Sequence, residues 1–228
     1  MAAHYEDCVF LNVPFDSRYE AMLRALVFTV HDCGFVARCA REIDDSGQVR
    51  LDKICDLISQ SRYGLHDLSR ISLDRDRLPR FNMPLELGVF LGATRFGGTR
   101  DKRKRCLILV RDRDRCHKYC SDIEGRDIRS HRGSVEEGIK GVRNWLSSQL
   151  TGRDIQIPGG GTLVERYSRF CRDLPALCRA AQLVRSELLF NEYTNMVVYW
   201  LEVNPWQSTR ERGEPLRRRK PTPRRRRK

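Results

Sequence analysis

No uninterrupted apolar stretch of about 18 residues occurs in this chain, so no membrane span is expected. The opening residues, Met1-Ala2-Ala3-His4-Tyr5-Glu6-Asp7, lack the basic flank and apolar core of a secretory signal, which makes the cytoplasm the expected compartment. No glycine-rich phosphate loop is present; Gly159-Gly160-Gly161 is a lone triplet before a helix and reads as a linker. No nucleophile elbow and no serine or cysteine triad is visible. Cys116-His117-Lys118-Tyr119-Cys120 has no second Cys/His pair at zinc spacing, so no metal is expected. Nine cysteines make an odd number, and Cys8, Cys39, Cys55 and Cys106 sit among apolar neighbours, like small core side chains in a reducing compartment.

What is present suits a packed core under a heavily ionic surface. The 228 residues are 40% hydrophobic and 32% charged, enough for one α/β domain with an appendage or for two small domains. Of the net charge of +13, nine positive charges fall in the last twelve residues, Arg217 to Lys228, which carry no negative one. Basic character is therefore mostly a property of the tail. A tail of Pro, Arg and Lys is expected to be disordered. It has no interleaved aromatics, so any contact with nucleic acid through it is expected to be non-specific and strongly salt-dependent.

Cys8 to Val13 is a short run rich in β-formers, long enough for a buried parallel strand. Pro14-Phe15-Asp16-Ser17 turns the chain, and Asp16 or Ser17 is expected to cap a helix over about 18–33 that Gly34 ends. Strands follow at 35–40, 63–68 and 106–110, and helices at about 50–60, 84–93, 135–150, 163–181 and 187–203. In the second helix Leu51, Ile54, Cys55 and Ile58 are expected to face inward. Four strands alternating with helices predict a parallel sheet with helices on both faces. The expected division is an α/β domain over 1–150, a helical extension over 151–204 and a basic tail over 205–228.

One helix stands apart. In Phe81-Asn82-Met83-Pro84-Leu85-Glu86-Leu87-Gly88-Val89-Phe90-Leu91-Gly92-Ala93, Pro84 suits a first turn and every residue from Leu85 onward except Glu86 is apolar or glycine. A helix apolar on all sides is expected inside a domain, where a lone carboxylate is expensive unless it is paired or used. Gly88 and Gly92 leave one face bare for close approach by a strand or ligand.

Open parallel sheets bind ligands beyond the carboxyl ends of their strands. Asn12, Phe15, Asp16, Arg18 and Tyr19 lie where the first strand ends; Glu42, Asp44 and Asp45 follow the second; His66, Asp67 and Ser69 end the third. Asn82 and Glu86 belong to the helix that starts after it. Carboxylates gathered at one rim suit chemistry on hydroxyls or on developing positive charge. His66 is either a backbone-bonded strand residue or a proton carrier.

Val9-Phe10-Leu11-Asn12-Val13-Pro14-Phe15-Asp16, Tyr63-Gly64-Leu65-His66-Asp67-Leu68-Ser69 and Asn82-Met83-Pro84-Leu85-Glu86-Leu87-Gly88 together resemble the TIR-like and nucleoside 2-deoxyribosyltransferase-like superfamily. The resemblance covers about residues 7 to 111, and the Glu-Leu-Gly helix is its most specific part. It implies a flavodoxin-like (TIR-like) sheet flanked by helices, with a C-terminal helical extension added. It also implies cleavage or transfer of an N-glycosidic bond with Glu86 as the catalytic carboxylate. NAD is then the implied substrate rather than a cofactor. Asn12, Phe15, Asp16, Arg18, Tyr19, Asp67, Ser69 and Asn82 are the implied ribose or base contacts, with Phe15, Tyr19 or Phe81 able to stack on a base. Bacterial members include NAD-consuming proteins of antiphage defence, which implies a homo-oligomer and an effector reached through a nucleotide signal. The chain departs from deoxyribosyltransferases in lacking a tyrosine-based substrate loop and in carrying the charged insert Arg70 to Arg80. A non-catalytic nucleotide-binding module and a deoxyribosyltransferase-like enzyme remain the alternatives.

Overall fold

A computed structural model of the chain describes residues 4–42, 45–70, 81–113, 123, 125–150 and 156–206. Five strands, β1 (Cys8–Asn12), β2 (Val36–Arg38), β3 (Tyr63–Asp67), β4 (Arg105–Val110) and β5 (Ile128–Ser130), pair in parallel in the order β2-β1-β3-β4-β5. That is the flavodoxin-like order, in which the chain reverses direction across the sheet between β1 and β3. Six helices flank the sheet among the described residues: α1 (Glu20–Asp32), α2 (Arg50–Ser59), α3 (Asn82–Phe96), α4 (Val135–Gln149), α5 (Gly160–Ala180) and α6 (Phe190–Val203). β5 was not expected from the sequence. Three residues in length, it carries too little hydrophobic pattern to stand out, and pairing with β4 defines it.

Every residue of β1 and β3 is buried, as central parallel strands covered on both faces require. Side-chain alternation then divides the core in two. Val9, Leu11, Tyr63, Leu65, Leu107 and Leu109 pack with α1, α4, α5 and α6. On the other face Phe10 packs with Ile54, Leu57, Ile58 and Phe90 of α2 and α3. The first face is the thicker. There Phe28 of α1 meets Tyr167 and Phe170 of α5 and Trp200 of α6, with ring centroids 5.2–5.7 Å apart. Arg166 of α5 clasps Asp32 of α1 through two bonds of 2.8 and 2.9 Å, both groups being buried. The C-terminal helices thus share one core with the sheet.

Several local expectations change. The N-cap of α1 is Tyr19, with no side-chain cap; the Asp16 carboxylate instead accepts from the Arg18 N–H at 3.1 Å and pairs with Arg70. Gly34 does end α1, with φ +82, a conformation that favours glycine. In α2 the inward residues are Lys53, Ile54, Leu57 and Ile58, while Cys55 is exposed and Leu51 half-exposed. Gly159 caps α5, and the other two glycines of the triplet form its first turn. The tail beyond 206, residues 151–155 and the Cys116–Cys120 cluster lie outside the described residues. No described helix is long and apolar enough to cross a membrane.

The largest correction concerns α3. It is a surface helix, and its only buried residues are Glu86, Leu87 and Phe90. Phe81, Leu85 and Phe96 are 68%, 55% and 86% exposed, and nothing lies within 4 Å of a Cβ built at Gly88 or Gly92. The bare glycine face points outward. The sheet covers one stripe of α3 and half-buries Met83, Val89, Leu91 and Ala93 beside it, so Phe81, Leu85 and Phe96 are left exposed. The carboxylate goes in with Leu87 and Phe90, while Phe81 and Phe96 stay out.

Candidate active site

The carboxyl ends of the strands form a rim with two distinct halves. On the α2/α3 side, β1 ends in Asn12 and β3 carries His66 directly opposite it. The Asn12 Nδ2 donates to the carbonyl of Met83, in the first turn of α3, at 2.8 Å and lies 3.0 Å from Nδ1 of His66. These bonds seat α3 on the strand ends and bring Glu86, one turn on, to the same edge. Glu86 is 7% exposed. Among the described residues its carboxyl has no hydrogen-bond or ion-pair partner. Burial pushes its pKa up to about 7, and the Arg50 guanidinium at the start of α2 opposes that rise. A buried, unpaired carboxyl that titrates near neutrality is costly to the fold, and such groups cluster at working sites.

The α1/α4 side is built differently. Asp67 ends β3 with its side chain on the opposite face from Glu86, because successive strand residues alternate. It is fully buried and fully bonded. The Tyr19 hydroxyl donates to Oδ2, the Ser69 N–H donates to Oδ1 at 2.8 Å, and His131 Nε2 lies 3.1 Å from Oδ2. Burial and the Asp67 charge hold the Tyr19 phenol well above its usual pKa, so it stays a donor. His131 leaves β5 through a left-handed turn at Arg132 (φ 52) and Gly133 (φ 80), after which Ser134 caps α4. The Gly133 N–H donates to His131 Nδ1 at 3.0 Å, which places the ring proton on Nε2, facing both Asp67 and the Ser69 Oγ at 2.9 Å. With no lone pair turned toward Ser69, His131 is not a base for that hydroxyl, and Asp67–His131–Ser69 is not a nucleophilic triad.

The rim therefore brings Asn12 beside the Glu86 helix, and it joins Tyr19, Asp67 and Ser69 in one network. Asp16 is tied to Arg70 at 3.1 Å. Phe15 is half-buried beneath the Arg41 guanidinium, 4.6 Å from the ring centroid. Asn82 and Phe81 lie exposed at the start of α3, Glu42 bonds back to Arg38, and Asp44 falls outside the described residues. His131 and Arg50 went unnoticed in the sequence. The signal for His131 was the turn-and-cap string Arg132-Gly133-Ser134 before a helix, which places the preceding residue at a strand end. Four arginines near the strand ends, Arg18, Arg111 and Arg132 in connections and Arg50 at the start of α2, are exposed, and their side chains have no hydrogen-bond or ion-pair partner among the described residues. The described residues hold no cluster of His, Cys, Asp or Glu suited to a metal ion.

Comparison with models of known protein families, with curated proteins and with solved structures returns no match to this chain.

Proposed function

We propose that the protein cleaves an N-glycosidic bond of a nucleotide, with NAD as substrate, Glu86 as the catalytic carboxylate and hydrolysis or cyclisation to a signalling nucleotide as the outcome. The observation that carries this reading is the buried Glu86 carboxyl, without a protein partner among the described residues, at the strand-end rim. Breaking such a bond builds oxocarbenium character at the anomeric carbon. A carboxylate already desolvated beside that carbon stabilises the charge or attacks it, without having to shed its own water in the reaction. The rim's charges suit NAD as a whole. The cationic nicotinamide favours the ionised form of Glu86, and the pyrophosphate suits Arg18, Arg111 and Arg132, whose side chains have no partner among the described residues. The resemblance of the Asn12, Asp67 and Glu86 segments to TIR-like and deoxyribosyltransferase-like proteins points the same way, toward a role in antiviral defence.

Purified full-length protein incubated with NAD is expected to release nicotinamide, and Glu86→Gln to abolish the release. Equal rates in the two proteins sink the assignment. Tight NAD binding without turnover in the wild type assigns the rim to a nucleotide-binding module instead.

A further inference from the structure

The unexplained group on the Glu86 side is His66. It is fully buried, wedged between Phe10 and Phe90, with ring centroids 6.1 and 5.1 Å away. Its Nε2 is sealed and has no hydrogen-bond partner among the described residues. Gly64, two residues earlier on the same face, makes room for the ring: a Cβ there would lie 2.6 Å from Nε2 and 2.8 Å from the Phe90 ring. A core that gives up a side chain to admit an imidazole, and leaves one nitrogen unbonded, asks what the other nitrogen does.

Hydrogen-bond chemistry answers without ambiguity. The Met83 carbonyl only accepts, so the Asn12 atom 2.8 Å from it is the amide nitrogen, and the side-chain flip is settled. That same nitrogen lies 3.0 Å from His66 Nδ1. A proton on Nδ1 would set two donors against each other, so Nδ1 accepts and the single ring proton is on Nε2. Burial pushes the His66 pKa down to about 3, which agrees with a permanently neutral ring. Both Asn12 N–H groups are then committed. The Asn12 Oδ1 has no partner among the described residues, and the residue is 2% exposed, at the rim where α3 begins.

We propose that His66 is a positioning residue: it and the Met83 carbonyl turn the Asn12 amide so that its oxygen faces the rim as an acceptor, which makes the site select a ribose hydroxyl over a 2-deoxyribose. This selectivity rests on the nucleotide-cleaving reading given above. The orientation of the amide does not.

Two measurements on the full chain separate the parts. Nitrogen-15 NMR of histidine-labelled protein, with the His66 signal identified by its loss in His66→Asn, is expected to show Nε2 protonated and Nδ1 unprotonated throughout pH 5 to 8. A signal that titrates in that range, or a proton on Nδ1, overturns the positioning geometry whatever the protein binds. The second measurement compares kcat/KM for NAD with that for the analogue lacking the 2′-hydroxyl of the nicotinamide ribose, or equilibrium binding of the same pair if turnover is absent. The wild type is expected to favour NAD by about tenfold or more, as a site built to bond a hydroxyl does. His66→Leu, which fills the core without an acceptor, is expected to lose most of that ratio. His66→Asn, whose Oδ1 reaches toward the place of Nδ1, is expected to keep most of it. An unchanged ratio in folded His66→Leu, or a wild type blind to the hydroxyl, overturns the proposal. A wild type that engages neither nucleotide overturns the functional reading and the ribose selectivity with it, and the tautomer then stands or falls on the NMR result alone.

Discussion

Two carboxylates end up at the same rim in opposite electrostatic conditions. Asp67 is sealed and saturated by the Tyr19 hydroxyl, the Ser69 N–H and His131. Glu86 is almost as deeply buried but has no protein partner among the described residues. A saturated buried carboxylate is a structural device, because its donors offset the loss of water and hold three chain segments together. An unsaturated one stores free energy that binding can release, since a ligand carrying positive charge or donors supplies what the fold withholds. The two halves teach that burial alone does not mark function at this rim; burial without a partner does.

This contrast can be broken experimentally. The largest expected effect is on turnover. Glu86→Gln should lower NAD cleavage by about 10³-fold or more, as loss of a main electrostatic stabiliser does, and nicotinamide release measured against wild type decides it. Next, Asp67→Ala should lower unfolding free energy by roughly 3 kcal/mol, because it strands the buried Tyr19 and His131 groups. Urea unfolding at pH 7.5 tests this, and a loss below about 1 kcal/mol would remove the structural role given to Asp67. Glu86→Gln should do the reverse and stabilise the fold by roughly 2–3 kcal/mol at pH 8. The sign follows from linkage. The folded-state pKa of Glu86, about 7, stands above its ordinary 4.5, so the native state holds the extra proton between those values. Wild type therefore loses stability as pH rises from about 4.5 to 7, and the difference between the two proteins should vanish below that window. The same titration should appear in catalysis: kcat/KM should rise about tenfold per pH unit below about 7 and level off above it, because the ionised carboxylate is the working form. A flat profile between pH 5.5 and 8.5 contradicts that role. The smallest effect belongs to Arg50→Ala, which removes the cation opposing the burial of Glu86. It should move the rise to higher pH and change the plateau less than about threefold, since an exposed charge is screened by solvent and salt.

Much of this was legible in the sequence because it follows from short-range pattern. The apolar runs at Cys8–Leu11 and Cys106–Val110 read as strands covered on both faces, and their alternation with helices implies a parallel sheet. Glu86 stood out as a lone charge in an apolar stretch. What failed were judgments about which face of an element is covered. Cys55 was expected to point inward and is exposed, because Lys53 takes an inward position, its amine reaching the Asp45 carbonyl. α3 was expected inside and lies on the surface, because the number of helices stacked on each face of the sheet is not encoded in α3 itself. His131 was invisible because its partners, Asp67 and Ser69, are more than 60 residues away.

By itself, then, the sequence determined the element types, the strand-ending positions of Asn12 and Asp67, and the presence of one carboxylate in an apolar helix, since periodicity and residue chemistry are local. Only the tertiary structure decided that the charged side of that helix turns inward, that Asp67 is saturated and Glu86 is not, and that His66 orients Asn12. Hydrogen-bond satisfaction and desolvation depend on which groups from distant segments meet, and that is set when the sheet and its helices close around one another.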